Sequence, residues 1–273
     1  MECLINDLPI YYEEYGQGKP VLCLHGFTID HRAMTGCLEP VFQNMTNYRR
    51  IYLDLPGMGK TPARDWIENA DVMLDILKQF VRKVIGNEHF LLVGNSYGGY
   101  MALGMALDPS MNIDGIFLIA PCVIADYSKR KLPTKNDVVI DKNLKSMIKS
   151  VTDFDDFISM SVIATEETWC RVEAEILPGV RMADANFLSD YRQKGYGFSF
   201  ENALKELNFM KPICVLTGKQ DDSVGYEDAY ELLKELPRLT FVVIDRVGHN
   251  LQIENPEVFN LHLHDWLKSL GNK

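Results

Sequence analysis

Apolar positions along the chain follow two alternating patterns. Short runs, nearly continuous in apolar residues and rich in β-branched and aromatic types, recur at "IYYEEYG", "PVLCLHG", "RRIYLDLPG", "HFLLVGNS", "GIFLIAP", "PICVLTG" and "TFVVIDR". Several of them have the composition of strands covered on both faces. Between many of them apolar residues return at spacings of three and four, over Val72 to Val84, Tyr97 to Leu107, Tyr226 to Leu236 and Pro256 to Leu267, the period of a helix with one buried stripe. Strand and helix in alternation predict an α/β protein whose mostly parallel sheet carries helices on both faces. The first two runs, around Leu4 and Tyr11, have no helix between them and predict an antiparallel hairpin on one edge.

The alternation stops after "GIFLIAPC" and resumes at "KPICVLTG". A structureless loop of that length inside a domain is implausible. The expectation is a two-part core, residues 1–121 and 211–273, interrupted at residues 122–210 by a mostly helical cap over the strand ends. No linker-like tract, internal repeat or low-complexity segment marks the join.

Size and charge then restrict the partners. The chain has 273 residues, 47% of them hydrophobic, enough for a sizeable core. A formal net charge of -10 repels phosphate backbones and anionic membrane surfaces, so nucleic acid is a poor partner. No stretch approaches the length of a membrane span, and the beginning, "MECLINDLPIYYEEYGQGKP", does not read as a secretory signal. Six cysteines without a C-x-x-C pair suit a reducing compartment, so the expectation is a cytoplasmic protein.

Chemistry enters at "LLVGNSYGGYMALGMAL", where a strand feeds directly into a helix and Ser96 stands at the apex of the turn. Gly94 and Gly98 occupy places where a side chain would meet neighbouring backbone, and the helix beginning at Tyr97 turns its first N–H groups toward the serine. A plain turn accounts for glycine and serine equally well, so the case needs a base. Of the six histidines, His249 follows the strand "FVVID" on the rim where Ser96 emerges, with Leu251 and Ile253 to pin its loop. His25 ends a strand too but reads as a structural residue whose ring bonds nearby backbone. His89, before a strand, and His262 and His264, in the last helix, read as solvated or structural. A carboxylate that fixes the imidazole tautomer is found in "VLTGKQDDSVG". Asp221 is favoured; Asp222 is the neighbouring alternative, Asp126 a remote third, and N-capping of the helix from Tyr226 is the structural role open to either of the pair.

Ser96, Asp221 and His249, in that order and each at the end of a β-run, resemble the α/β-hydrolase superfamily over nearly the whole chain. "HGF" at His25 to Phe27 looks like its oxyanion loop, "DLPGMGKT" from Asp54 like its Asp-x-x-Gly-x-Gly turn, and "GHNLQIENPE" like its catalytic-histidine segment. The resemblance implies the α/β-hydrolase fold with an eight-stranded sheet, an oxyanion hole made by the backbone N–H groups of Phe27 and Tyr97, a cap domain from Cys122, and a turn-ordering role for Asp54 supported by Gly57 and Gly59. No metal or organic cofactor is implied. The expected activity is hydrolysis of small to medium apolar carboxylic esters through an acyl-enzyme, by a monomer or homodimer. Tyr127, Phe154, Phe157, Met160, Trp169, Met182, Phe187 and Tyr191 offer apolar surface for substrate or for the cap's own core. The acids of "DFDD" and "EETWCRVEAE" leave open an aminopeptidase of the proline iminopeptidase type that holds an α-ammonium. A carbon–carbon bond hydrolase and a non-catalytic ligand receptor are the further alternatives. Relatives that release halide or open epoxides use an aspartate where this chain has Ser96.

Overall fold

A computed structural model describes every residue except Asn44, Asp137, Asn272 and Lys273. The apolar runs become β1 (Glu2–Ile5), β2 (Leu8–Gly16), β3 (Lys19–Leu24), β4 (Tyr48–Leu53), β5 (Phe90–Asn95) and β6 (Ile113–Ile119). A small parallel pair, β7 (Val139–Ile140) and β8 (Ile163–Ala164), precedes β9 (Ile213–Gly218) and β10 (Leu239–Ile244). Eight of these join one sheet in the order β1-β2-β4-β3-β5-β6-β9-β10. β1 and β2 form the expected edge hairpin, with Cys3 opposite Ile10, and β2 runs antiparallel to β4; every other pairing in this sheet is parallel. β5 and β9 are buried at every residue, which is why they read as continuous apolar runs. β10 closes the other edge and leaves several of its residues half exposed.

The crossovers supply the helices. α1 (His31–Phe42) was not marked by any run singled out in the sequence, and it carries Pro40 in its interior. The missing N–H of Pro40 leaves the Gly36 carbonyl free for Arg171, whose Nη2 approaches to 3.5 Å. α2 (Ala70–Val84) buries Met73, Leu74, Ile76, Leu77, Phe80 and Val81 along one stripe. Asn69 caps it by accepting from the Val72 N–H, and Arg82 and Lys83 face the negative end of its dipole. α3 (Tyr97–Ala106) has no polar face at all: each residue from Tyr97 to Met105 is buried. It lies under both the sheet and later segments, as a helix apolar all round must. Gly104 is the packing point, because a Cβ there would sit 2.5 Å from the Phe198 ring.

Between β6 and β9 the chain builds α4 (Leu144–Met147), α5 (Val151–Met160), α6 (Glu166–Glu175), α7 (Leu177–Met182) and α8 (Ala185–Lys194). Leu144, Ile148, Phe157, Ala164, Trp169 and Val172 form a small core of their own, joined by Ile253 from beyond β10. Other residues of this excursion tie back to the main body: the Asp184 N–H donates to Gly57 and the Ala70 N–H to Gly195. α9 (Glu227–Leu233), α10 (Leu251–Glu254) and α11 (Pro256–Ser269) complete the chain. α9 is shorter than its apolar spacing suggests, and neither Asp221 nor Asp222 caps it. All six cysteines are free, five of them buried. Among the described residues, no helix is long and apolar enough to cross a membrane.

The sheet reverses its direction of growth between β3 and β5. The carboxyl ends of those two strands therefore flank a crevice, the usual place for a ligand in an open α/β sheet.

Candidate active site

β5 ends at Asn95 and α3 begins at Tyr97, so Ser96 alone makes the turn. It does so at φ 51° and ψ -114°, a conformation that costs an L-residue about 1–3 kcal/mol. The surrounding hydrogen bonds hold it there: the Ser96 N–H donates to Ile119, and its carbonyl accepts from Tyr100 and Cys122. Both flanking glycines are sterically required. A Cβ on Gly94 would lie 2.6 Å from the Gly98 carbonyl oxygen, and one on Gly98 would lie 2.2 Å from that of Leu24. Asn95, which the sequence leaves without a role, donates from Nδ2 to the Ile119 carbonyl and so stitches β5 to β6.

His249 stands in the loop between β10 and α10, pinned by the buried Leu251 and Ile253. Its Nε2 is 3.0 Å from Ser96 Oγ and its Nδ1 is 2.8 Å from Asp221 Oδ2. Asp221 is fully buried, and its other oxygen accepts from the N–H groups of Ser223 and Val224, which fixes the carboxylate. With Nδ1–H directed at Asp221, the lone pair on Nε2 faces the serine hydroxyl. Burial pulls the His249 pKa down, but the Asp221 charge and hydrogen bond outweigh it and leave the ring above its ordinary value. Asp222 turns away, toward Lys135 at 3.4 Å, and Asp126 is taken up by Ser128 and Lys129.

A further buried carboxylate braces the histidine loop. Glu254 Oε2 accepts from the Gly248 N–H at 2.6 Å and Oε1 from the Val162 N–H at 2.7 Å, so one side chain clamps the residue before His249 to the strand β8 region. Burial pushes its pKa up, partly offset by those backbone donors.

The loop after β3 passes close by. A Cβ on Gly26 would lie 3.3 Å from Ser96 Cβ, which brings Phe27 to the edge of the site. Tyr97 opens α3, whose first N–H groups have no partner within the helix, and Ser96 makes no side-chain cap to claim them. The rings of Phe27 and Tyr97 meet edge to face, with centroids 5.4 Å apart. His25 is structural in geometry: Nδ1 donates to the Gly26 carbonyl and Nε2 accepts from the Leu55 N–H, an arrangement that needs a neutral ring, and burial lowers its pKa accordingly.

Asp54 orders its turn. Oδ2 accepts from the Lys60 N–H, and a Cβ on Gly59 would collide with that oxygen at 2.3 Å. Oδ1 accepts from the backbone and Nδ1 of His31, a partner the sequence had not suggested. Burial alone would raise the Asp54 pKa, but the His31 hydrogen bond and the nearby imidazoles hold it below the ordinary carboxylate value. Asp30, His31 and Asp54 are the three residues, among those described, whose ligand atoms come close enough together for a metal ion. Their carboxylate oxygens already accept from Arg32, His31 and Lys60.

Above Ser96 and His249 lies a cavity of about 760 Å³. Phe27, Met160, Tyr196 and Val224 give it apolar wall, and Tyr127, Arg130, Arg192 and Lys194 give it polar wall. Of the apolar candidates from the sequence, Tyr127 and Met160 line it; Phe157 and Trp169 are buried in the excursion's small core with Phe154 packed on it. Tyr191 is buried with its hydroxyl 2.6 Å from that of Tyr97, Phe187 packs beside it, and Met182 is exposed. The acids of "DFDD" and "EETWCRVEAE" stay off the cavity, where Glu175 pairs with Arg171 and Asp153 with Arg181. Arg130 and Arg192 on the cavity wall are not among the candidates from the sequence, because neither "YSKRK" nor "YRQKG" differs from an ordinary solvated basic segment.

Comparison with known proteins agrees with the fold. The model of the alpha/beta hydrolase family matches residues 21–260. The chain is 25% identical over 249 residues to a 2-hydroxy-6-oxo-6-(2'-aminophenyl)hexa-2,4-dienoic acid hydrolase of Metapseudomonas resinovorans, covering 91% of this chain and 83% of that one. It is 22% identical over 262 residues to a pimeloyl-acyl-carrier protein methyl ester esterase of Legionella pneumophila, covering 95% and 99%. Among solved structures, an alpha/beta superfamily hydrolase from Oenococcus oeni PSU-1 superposes with a TM-score of 0.89 at 32% identity, covering 96% of each chain. With its eight-stranded, mostly parallel sheet and a family match that spans most of its length, the chain belongs to the alpha/beta hydrolase family.

Proposed function

We propose that this hydrolase cleaves small to medium carboxylic esters through a covalent acyl-enzyme, with Ser96 as nucleophile, His249 as base and Asp221 as the acid of the triad. The observation that carries the reading is the unbroken line of contacts Ser96 Oγ to His249 Nε2 at 3.0 Å and His249 Nδ1 to Asp221 at 2.8 Å. His249 takes the serine proton while Oγ attacks the carbonyl carbon, and the Phe27 and Tyr97 N–H groups receive the oxyanion. The imidazolium, stabilised by Asp221, protonates the departing alkoxide. Water, deprotonated by the same ring, then attacks the acyl-serine and releases the acid. Residues 122–210 act as a cap whose inner surface selects the substrate.

Two observations rank the alternatives. Three similar proteins are named as hydrolases of 2-hydroxy-6-oxo dienoic or dienedioic acids, so carbon–carbon bond cleavage by the same triad is the second reading. The aminopeptidase reading loses its basis, because the acids meant to hold an ammonium lie away from the cavity. The test is turnover of a chromogenic short-chain ester by the purified protein beside its Ser96→Ala variant. Activity that disappears in the variant, with the fold intact by circular dichroism, supports the proposal; activity that persists refutes it.

A further inference from the structure

Basic side chains are outnumbered in this chain, 28 against 38 acidic ones. Six of the eleven arginines pair with a carboxylate of the described residues, as Arg49 does with Glu14, Arg50 with Glu39 and Arg171 with Glu175. The cavity over Ser96 holds two of the remaining five. Among the described residues, neither Arg130 nor Arg192 on its wall has an ion-pair partner. The other charged groups of the wall are paired, Lys194 with Asp190 and Asp126 with Lys129. Two uncompensated positive charges therefore face one cavity.

The two differ in freedom. Arg130 is spent on its neighbours: it donates to the carbonyls of Ile124, Ala125 and Ser223 and to Cys122 Sγ, so it contributes field but few donors. Arg192, exposed near the carboxyl end of α8, lies over the face of Phe27 with its Cζ 4.9 Å from the ring centroid, and among the described residues it has no hydrogen bond or ion pair. That places a guanidinium, donors unclaimed, within roughly 10 Å of the Phe27 backbone N–H, given the covalent length of a phenylalanine side chain. A planar fork over an aromatic face at this distance suits a carboxylate a few methylenes from the scissile carbonyl.

We propose that the substrate of this site carries a carboxylate on its acyl portion and that Arg192 is the residue that binds it. The proposal rests on the ester-hydrolase reading above and narrows it to acyl groups derived from dicarboxylic acids. It departs from the expectation of small to medium apolar esters.

The test compares p-nitrophenyl hydrogen glutarate with its neutral counterpart, p-nitrophenyl methyl glutarate. The unaltered protein should favour the charged ester in kcat/KM by roughly 10- to 100-fold, the range of a charge-assisted hydrogen bond. Arg192→Met should bring the ratio to near one, Arg192→Lys should retain part of it, and Arg192→Glu should invert it. Because the readout is a ratio on one protein sample, partial loss of fold cancels. No preference in the unaltered protein, or a ratio unmoved by Arg192→Met, overturns the proposal. A second measurement separates it from the catalytic reading: calorimetric binding of glutarate to the Ser96→Ala protein needs no turnover. Binding weakened at least tenfold by adding Arg192→Met supports the carboxylate site even where no ester is cleaved, and equal or absent binding in both refutes it.

Discussion

Replacing Ser96 by glycine should stabilise the protein relative to replacing it by alanine. Both variants lose the hydroxyl that contacts His249, so the difference isolates the Cβ atom. At φ 51° and ψ -114° that atom is strained, at a cost of about 1–3 kcal/mol, and glycine relieves it. Glycine also gains freedom in the unfolded chain, which subtracts about 0.5–1 kcal/mol. Taken at the midpoint of each range, the net advantage of glycine is about 1.25 kcal/mol. At about 2–4 °C per kcal/mol for a chain of this size, Ser96→Gly should melt about 2.5–5 °C above Ser96→Ala in parallel calorimetric scans. The sheet and helix on either side hold the turn in place through three backbone hydrogen bonds to Ser96, so relaxation of the alanine variant into an ordinary turn is blocked. A glycine variant that melts at or below the alanine variant would refute the claim that the serine is held in a strained turn.

The remaining predictions concern the residues around that turn. Catalysis needs neutral His249, whose pKa is held above the ordinary 6.5, so kcat/KM should fall tenfold per pH unit on the acid side of a midpoint above that value and level off on the alkaline side; a midpoint below 6.5 contradicts the Asp221 pairing. Asp221→Asn should lower kcat by about 10³–10⁴, while Asp222→Asn should stay within about threefold, and equal losses would deny Asp221 its assigned role. Glu254→Gln replaces one of two buried acceptors by a donor, so the urea midpoint should drop by the equivalent of about 1–3 kcal/mol with m unchanged, and kcat should fall with it because Gly248 adjoins His249. No shift in that midpoint would show that the clamp does not hold.

Much of this architecture was legible because burial on both faces leaves an unmistakable trace. β3, β5, β6 and β9 are nearly continuous apolar runs, and the helices α2, α3 and α11 begin within two residues of where their spacing places them. The turn at Ser96 was legible for a steric reason, since both glycines are forced by backbone within 2.6 Å of where a Cβ would stand. α1 was not: Pro40 interrupts its pattern, and its anchor, the His31 to Asp54 hydrogen bond, spans 23 residues. The cavity wall was least legible. Arg130 and Arg192 reach it from opposite ends of the excursion, and an unpaired charge differs from a solvated one only in what lies around it. Glu254 looked like part of a motif, yet its partners Val162 and Ile163 are brought to it by tertiary packing alone.

The central claim is that His249 and Asp221 make Ser96 a nucleophile. Incubation with a fluorophosphonate, followed by intact-mass measurement and peptide mapping, tests it without knowledge of the natural substrate. The account predicts one covalent adduct, on the peptide that contains Ser96, absent from Ser96→Ala and formed at least a hundredfold more slowly by His249→Ala. A folded protein that forms no adduct, or forms it on another residue, would contradict it.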